Sequence, residues 1–305
     1  MKLIIPGGSG FLGLYLADYF SQQGWEVVIL SRSAKASTDK NIRFVQWDGK
    51  TLGDWAKELE GADAVVNMAG RTVNCRYTDT NKAEILNSRI DSTRILGEAI
   101  AKCQQAPRLW LNSSSATYYK DTRGDLPAND EYNGETGQDF SMGVCQAWEK
   151  AFDEAVVPNS VRKIALRTSI VIGKGGGAME PILNLVRRFV GGAQGAGTQY
   201  ISWVHLHDFA RVIDFLIERD DISGVINCAA PNPEQNKDFM RKLRKACRVP
   251  FGLPMPVFLL RFGAILIQTE AELILKSRKV VSKRLAEAGF EFEYPTLEKA
   301  FAEIV

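Results

Sequence analysis

Residues 2–13, KLIIPGGSGFLG, set a short apolar run against a cluster of glycines, and apolar spacing resumes at Leu14, Leu16, Ala17 and Phe20 before Gly24. A run of that length reads as a buried strand, the glycines as a tight turn, and the later spacing as one face of a helix. A second compact run, Trp25 to Leu30, ends at Ser31-Arg32-Ser33 and completes a strand, helix, strand unit of the length a parallel crossover requires. In that setting Gly7, Gly10 and Gly13 let the backbone turn, approach a pyrophosphate closely and present amides from the positive end of a helix. With the helix-opening Phe11 and Leu12 they form the expected phosphate cradle. Glycines that merely permit a tight turn are the alternative, and the complete unit around them weighs against it.

The alternation continues outward. Arg43 to Trp47, Ala64 to Met68, Arg108 to Asn112 and Ile164 to Ile172 read as strands; Leu52 to Leu59, Asn81 to Cys103 and Ser141 to Ala155 read as helices. Lys120 to Gln138 is a polar stretch. This order selects an α/β fold, a Rossmann-type doubly wound parallel sheet with a smaller, mostly helical C-terminal region on the substrate side. Glycine-rich loops after Gly173 surround a helix from Met179 to Val190, and Pro250, Pro254 and Pro256 punctuate the helical last third. The expected division is 1–230 for the dinucleotide domain, with a core at about 1–175 to which later segments return, and 231–305 for the helical region.

The 305 residues exceed the roughly 150 typical of one domain, so a large domain with an appendage or two domains is expected. Lys and Arg number 38 against 36 Asp and Glu, and a net charge of +2 gives no nucleic-acid or membrane footprint by itself. Five widely spaced cysteines without a CxxC pair fit a reducing, cytoplasmic setting. The start lacks the apolar length of a signal peptide. The most apolar run, Val257 to Ile267, is interrupted by Arg261 and is too short to span a bilayer; it reads as a buried or docking helix. The expected partner is a small molecule, with neither nucleic acid nor membrane.

A dinucleotide fold that prefers NAD places an acid at the end of its second strand, to bind the adenosine ribose. Here that place is held by Ser31 and Arg32. A guanidinium pairs with a 2′-phosphate that an acid would repel, so NADP(H) is expected over NAD(H), unless Arg32 is only a solvated surface charge.

At these residues the chain resembles the extended, epimerase-like branch of the short-chain dehydrogenase/reductase superfamily. GGSGFLG is similar to its first-turn signature, and Asn67-Met68-Ala69-Gly70 to an element that borders the cofactor, implicating Asn67, Ala69 and Gly70. Asp48 resembles the aspartate that approaches adenine, and LNSSSATYY at 111–119 resembles a strand-end motif in which Ser115 would be the active-site serine. Cys75-Arg76-Tyr77, SRIDST at 88–93, ISWVH at 201–205 with Asp208, NCAAP at 227–231 and several C-terminal motifs are similar to an atypical SDR39U-type group. The C-terminal segment of that group is a domain of unknown function. The resemblance covers nearly the whole chain and implies a fold more than a reaction.

In active members of the superfamily a tyrosine and a lysine four residues later move the proton while the nicotinamide moves a hydride. Alignment through Glu149 puts Ser141 and Cys145 in those positions, so both groups are missing. Tyr118 is the candidate to replace the phenol, with packing or substrate lining as the alternative, since an unassisted phenol has a pKa near ~10. Arg89 stands where extended members commonly have an asparagine, and with Arg76 it suits a carboxylate or phosphate on the substrate; structural salt bridges are the alternative. Asn74, Gln199 and Trp203 complete the substrate-side candidates, each able to serve instead as a loop anchor.

Cys145 as a nucleophile lacks an evident base and reads better as a small buried residue. His205, His207 and Asp208 suggest metal, yet no third histidine exists and no metal is expected. The resulting expectation is an NADP(H)-binding, epimerase-like oxidoreductase, with a non-catalytic NADP(H) sensor as the alternative.

Overall fold

Leu3, Ile4 and Ile5 are each fully buried, and successive residues enter different cores. Leu3 and Ile5 of β1 (Lys2–Pro6) point to one face of a sheet and Ile4 to the other. A parallel strand covered on both sides produces this pattern, in which a continuous apolar run takes the place of polar alternation. The structure, a computed structural model, describes residues 1–33, 35–266, 270 and 272–305.

α1 (Phe11–Gln22) joins β1 to β2 (Glu26–Ser31), and β3 (Ile42–Gln46) follows. Beyond a 3-10 turn at Asp54–Leu59, the alternation repeats through β4 (Ala64–Asn67), α2 (Asp79–Ala101), β5 (Leu109–Ser115), α3 (Phe140–Asp153) and β6 (Arg162–Thr168). β7 (Ile170–Ile172), α4 (Met179–Arg187), β8 (Tyr200–Ile201) and β9 (Trp203–His205) form smaller structures, and α5 (Leu206–Glu218) leads back to the sheet as β10 (Gly224–Cys228). The last third holds β11 (Glu234–Gln235), α6 (Asn236–Ala246), α7 (Val257–Leu266), α8 (Glu272–Leu275), α9 (Lys283–Glu287) and α10 (Leu297–Ile304).

Seven strands form one sheet in the order β10, β6, β5, β4, β1, β2, β3, with every neighbouring pair parallel. On one face Leu16 and Phe20 of α1 meet Phe209, Ile213 and Leu216 of α5; on the other, Leu96 and Ile100 of α2 meet Trp110 and Phe152. Each such side chain contributes about 1.5–3 kcal/mol on full burial. A further apolar cluster joins α4, α6 and α10 through Leu183, Phe239 and Phe301. Strand order reverses between β1 and its neighbours β2 and β4, which opens the crevice where such sheets bind ligands.

Some boundaries differ from the sequence reading. The run Ile164 to Ile172 is two strands, because the chain leaves the main sheet at Ser169, whose amide and hydroxyl both donate to the Cys228 carbonyl at 3.0 and 2.9 Å. β6 pairs with β5 and β10, whereas β7 pairs with β9. The segment Leu52 to Leu59 makes only the 3-10 turn. α4 stops at Arg187 instead of Val190, since Phe189 adopts left-handed backbone (φ 61°). In the apolar stretch Val257 to Leu275, α7 and α8 are formed, and positions 267–269 and 271 lie outside the described residues. Among the described residues no helix is long and apolar enough to cross a membrane.

Candidate functional site

The glycine turn is built by close approach. The Gly7 amide donates to the Leu30 carbonyl at 2.8 Å, joining the ends of β1 and β2. Its φ of +74° favours glycine, and a Cβ there would stand 2.5 Å from the Ala69 Cα. A Cβ on Gly13 would stand 2.3 Å from the Gly8 Cα, so α1 packs directly on the turn. Gly10 differs: it is the N-cap of α1, with no capping side chain, and a Cβ on it would meet nothing within 4 Å. Leu14 is the residue whose amide closes the first helical bond, to Gly10, which leaves the amides of Phe11, Leu12 and Gly13 without helical partners.

The turn opens on a cavity of about 1020 Å³, large enough for a dinucleotide. Of the cofactor residues read from the sequence, Gly7, Gly10, Ser31, Arg32, Asp48, Ala69 and Gly70 line it. Phe11 instead packs against Gly176 and Gly177. Asn67 lies beneath the floor, fully buried, donating to Asn112 at 2.6 Å and accepting from the Ala69 amide at 3.1 Å. The sequence reading passed over Lys50 and the α2 residues Thr80, Glu84 and Asn87, which also line the cavity. Their helical spacing on one polar face was the available signal.

The end of β2 carries the decisive charges. Ser31 donates its hydroxyl to the Ser33 carbonyl at 2.6 Å, and the exposed Arg32 has no ion pair among the described residues; nor has Lys50. Asp48 is the acid nearest them in sequence, and it is committed elsewhere. It accepts from the Thr51 hydroxyl at 2.6 Å and from the Thr51 and Lys50 amides at 2.9 and 2.8 Å. These bonds, the Thr51 hydroxyl first, hold its carboxyl at a pKa of about 2.

Ser115, the last residue of β5, accepts from the Thr117 amide at 3.1 Å and donates to the Thr117 hydroxyl at 3.0 Å. The Tyr118 ring lies on the Arg167 guanidinium, 3.4 Å from carbon to centroid. Arg167 forks onto both oxygens of buried Glu149 at 2.8 and 2.6 Å and donates to Tyr119 at 2.9 Å. Burial opposes its charge, but the Glu149 bonds prevail and its pKa is raised.

Ser141 donates to Glu272 of α8 at 3.1 Å and lies in hydrogen-bonding reach of the Tyr77 phenol. Burial raises the pKa of that phenol, opposed by the Ser141 contact. Burial, then Glu149, pushes the Cys145 thiol up to about 12, against the pull of Arg89, Arg167 and Arg278. Arg89 is half-buried, donates to the Arg71 and Ile85 carbonyls at 3.1 and 2.9 Å, and lies over the Trp148 ring. It makes no ion pair among the described residues, and burial lowers its pKa while Cys145 and Tyr77 act the other way. Burial likewise lowers the pKa of Arg278. The structure therefore gathers Tyr77, Arg89 and Arg278 around Ser141 and Cys145, a grouping the sequence reading missed because Arg278 and Tyr77 lie far from them along the chain.

The C-terminal segment covers this end. Glu270 accepts from the Tyr77 amide at 2.9 Å and pairs with Arg76 at 3.4 Å, and Lys276 bridges Asp139 and Glu272. Asn74 is exposed in the adjoining loop. Two of the substrate-side candidates, Trp203 and Gln199, take the loop-anchor alternative of the sequence reading instead of lining a ligand. Trp203 is fully buried in the cluster of α4, α6 and α10, with its indole N–H on the Asn232 carbonyl, and Gln199 is buried with its amide on the Gln194 carbonyl at 2.9 Å. Both anchor loops from the inside, since partners distant in sequence close over them. Among the described residues no three His, Cys, Asp or Glu side chains cluster as metal ligands. His205 caps α5 and stacks on Tyr294.

Residues 3–229 match the model of the NAD dependent epimerase/dehydratase family, and residues 255–304 match a domain of unknown function, DUF1731. The epimerase family protein YfhF of Bacillus subtilis is 31% identical over 306 residues, covering 100% of this chain and 98% of that protein. The human epimerase family protein SDR39U1 is 30% identical over 309 residues, covering 100% of both. A crystal structure of human SDR39U1 with NADPH superposes with a TM-score of 0.87 at 30% identity, covering 100% of this chain and 99% of that one. MoeE5 in complex with UDP-glucuronic acid and NAD shares the fold at a TM-score of 0.75 and 20% identity, covering 100% and 97% of the two chains.

Proposed function

Because the chain belongs to the NAD dependent epimerase/dehydratase family, we propose that it binds NADP(H), in preference to NAD(H), in the crevice beside β1 and exchanges hydride with a small anionic molecule. The observation that carries the cofactor preference is the pair Arg32 and Lys50 on the pocket wall beside Ser31, with Asp48 committed to its own loop. Both cations suit a 2′-phosphate. The NADPH in the human relative's crystal structure supports the same reading. The fit rests on the open space facing Gly10 and on the unpartnered amides of the first turn of α1, which suit a pyrophosphate.

When bound, the nicotinamide supplies or accepts a hydride. Ser115 orients a carbonyl or alcohol by hydrogen bonding. Proton transfer falls to Tyr77 rather than Tyr118, because the Tyr77 phenol adjoins Ser141 with Arg89 nearby, whereas the Tyr118 ring is stacked on an arginine already neutralised by Glu149. Arg89, half-buried and without an ion pair among the described residues, favours a substrate carboxylate or phosphate, which its planar fork suits.

A second reading, a cofactor sensor without turnover, is favoured by the un-ionised Cys145 and the Ser141 contact with Glu272. Calorimetric titration with NADPH and NADH tests the first claim: Arg32→Ala weakens NADPH by about 10- to 100-fold and leaves NADH nearly unchanged. Equal loss for both cofactors would remove the 2′-phosphate contact. A screen of oxo and hydroxy acids for NADPH-linked turnover, abolished by Tyr77→Phe and retained by Tyr118→Phe, separates enzyme from sensor.

A further inference from the structure

The net charge of the chain is small, but it is not spread evenly. Residues 181–207 and 239–269 contain no Asp or Glu and eight Lys and Arg, so the rest of the chain is net acidic. These two stretches lie side by side. The Leu253 amide donates to the Phe189 carbonyl at 2.8 Å, the Gly192 amide returns a bond to Leu253 at 3.1 Å, and the Phe189 and Phe251 rings stack at 5.0 Å. Arg244 reaches across to the Gly191 carbonyl at 2.7 Å, and α7 starts two residues after Met255, whose amide donates to the Ala193 carbonyl.

This junction exposes Phe189, Phe251, Leu253, Phe258, Leu259 and Phe262, with Phe258 at 69% and Phe262 at 60% of full exposure. Large side chains left in water in one contiguous region mark an interaction surface. Around them Arg187, Arg188, Lys245, Arg248 and Arg261 are exposed and make no ion pair among the described residues. Two of these residues also have unusual backbone. Phe189 (φ 61°) and Arg248 (φ 57°) are the non-glycine residues with left-handed backbone among the described residues. Each follows the C-cap of a helix, α4 or α6, at a position that ordinarily takes glycine. Keeping a phenylalanine and an arginine there, against the steric preference, places one apolar and one cationic side chain on this surface.

We infer that this basic, aromatic face docks on the surface of an anionic lipid bilayer, with α7 lying in the interface and its phenylalanines reaching the headgroup and acyl boundary. The combination of apolar knuckles with a basic surround is the chemistry of interfacial attachment. Charge decides against a second copy of the chain, because a two-fold contact through this face would set like charges against each other. The protruding aliphatic groups, Leu253 and Leu259, favour lipid over a nucleic acid, which would need stacking and hydrogen-bonding partners instead. This attachment stands independently of the cofactor reading.

Vesicle flotation of the full-length protein tests it. The protein should float with phosphatidylcholine vesicles that contain about 30 mol% phosphatidylglycerol, not with phosphatidylcholine alone, and should be released as salt rises. Arg187→Gln with Arg188→Gln should weaken partitioning about 30-fold. Phe258→Ser with Phe262→Ser should remove it, with the circular dichroism spectrum and melting temperature retained. No flotation, equal flotation with both vesicles, or wild-type flotation of either variant would overturn the inference. So would a monomer–dimer equilibrium abolished by the phenylalanine variant, or salt-sensitive binding to single-stranded DNA without vesicle binding.

Discussion

Alanine at two glycines of the same turn should have opposite consequences. At Gly10 the backbone (φ −93°, ψ −179°) is open to any residue and an added Cβ meets nothing within 4 Å, so Gly10→Ala should fold normally. Its stability cost is the loss of a favourable N-cap, within about 1 kcal/mol. The added methyl nevertheless projects into the cavity beside the amides of Phe11 to Gly13. A pyrophosphate displaced from one charge-assisted hydrogen bond loses about 1.5–3 kcal/mol, which is roughly 10- to 100-fold in affinity. At Gly7 the positive φ alone costs about 1–2 kcal/mol. The Cβ would also stand 2.5 Å from the Ala69 Cα, so backbone must move. Gly7→Ala should therefore lose about 3 kcal/mol or more. Urea unfolding and fluorescence titration with NADPH on both variants provide the check. Unchanged NADPH affinity in Gly10→Ala, or equal destabilisation of the two variants, would refute the assignment of this turn to the pyrophosphate.

Two further outcomes follow from the buried groups. Glu149→Ala leaves the Arg167 guanidinium buried without its forked partner and removes the acceptor of Ser114, so urea unfolding at neutral pH should show a loss of about 3–5 kcal/mol. The Cys145 thiol, pushed up to about 12, should be alkylated at pH ~8 about a thousandfold more slowly than an ordinary thiol with pKa ~8.5. Mass spectrometry of iodoacetamide-treated protein reads this directly, and Cys145 reacting among the first cysteines would reverse the picture of its surroundings.

The nucleotide half was legible because its signals are local. A five-residue apolar strand, a glycine turn and the absence of an acid at the end of β2 all lie within residues 2–33. Expectations failed where the deciding contact is remote. Nothing around Ser169 announces that its bonds to Cys228 end one strand and start another. Trp203 and Gln199 read equally as ligand-lining residues or as loop anchors, and only the remote contacts to Asn232 and Gln194 decide for the anchors. Tyr77 reads as part of a short motif and becomes chemically interesting only once α3 brings Ser141 to its hydroxyl. Charge segregation was present in the sequence but cancelled in the whole-chain sum.

The sheet order also bears on how the chain reaches this state during synthesis. β1 is central, and strands β2 to β6 can join on either side as each appears. The outer edge of β6 waits for β10, whose first residue, Gly224, comes 56 positions after Thr168, and Leu285 and Phe290 reach the first core later still. Contacts so distant in sequence form slowly. An incomplete polypeptide ending between Thr168 and Gly224 therefore presents a bare parallel edge and an unsealed apolar face, both of which recruit other chains. Assembly of this fold is thus most exposed to aggregation while the chain between Thr168 and Gly224 is being made, when the glycine turn after β1 has long been delivered.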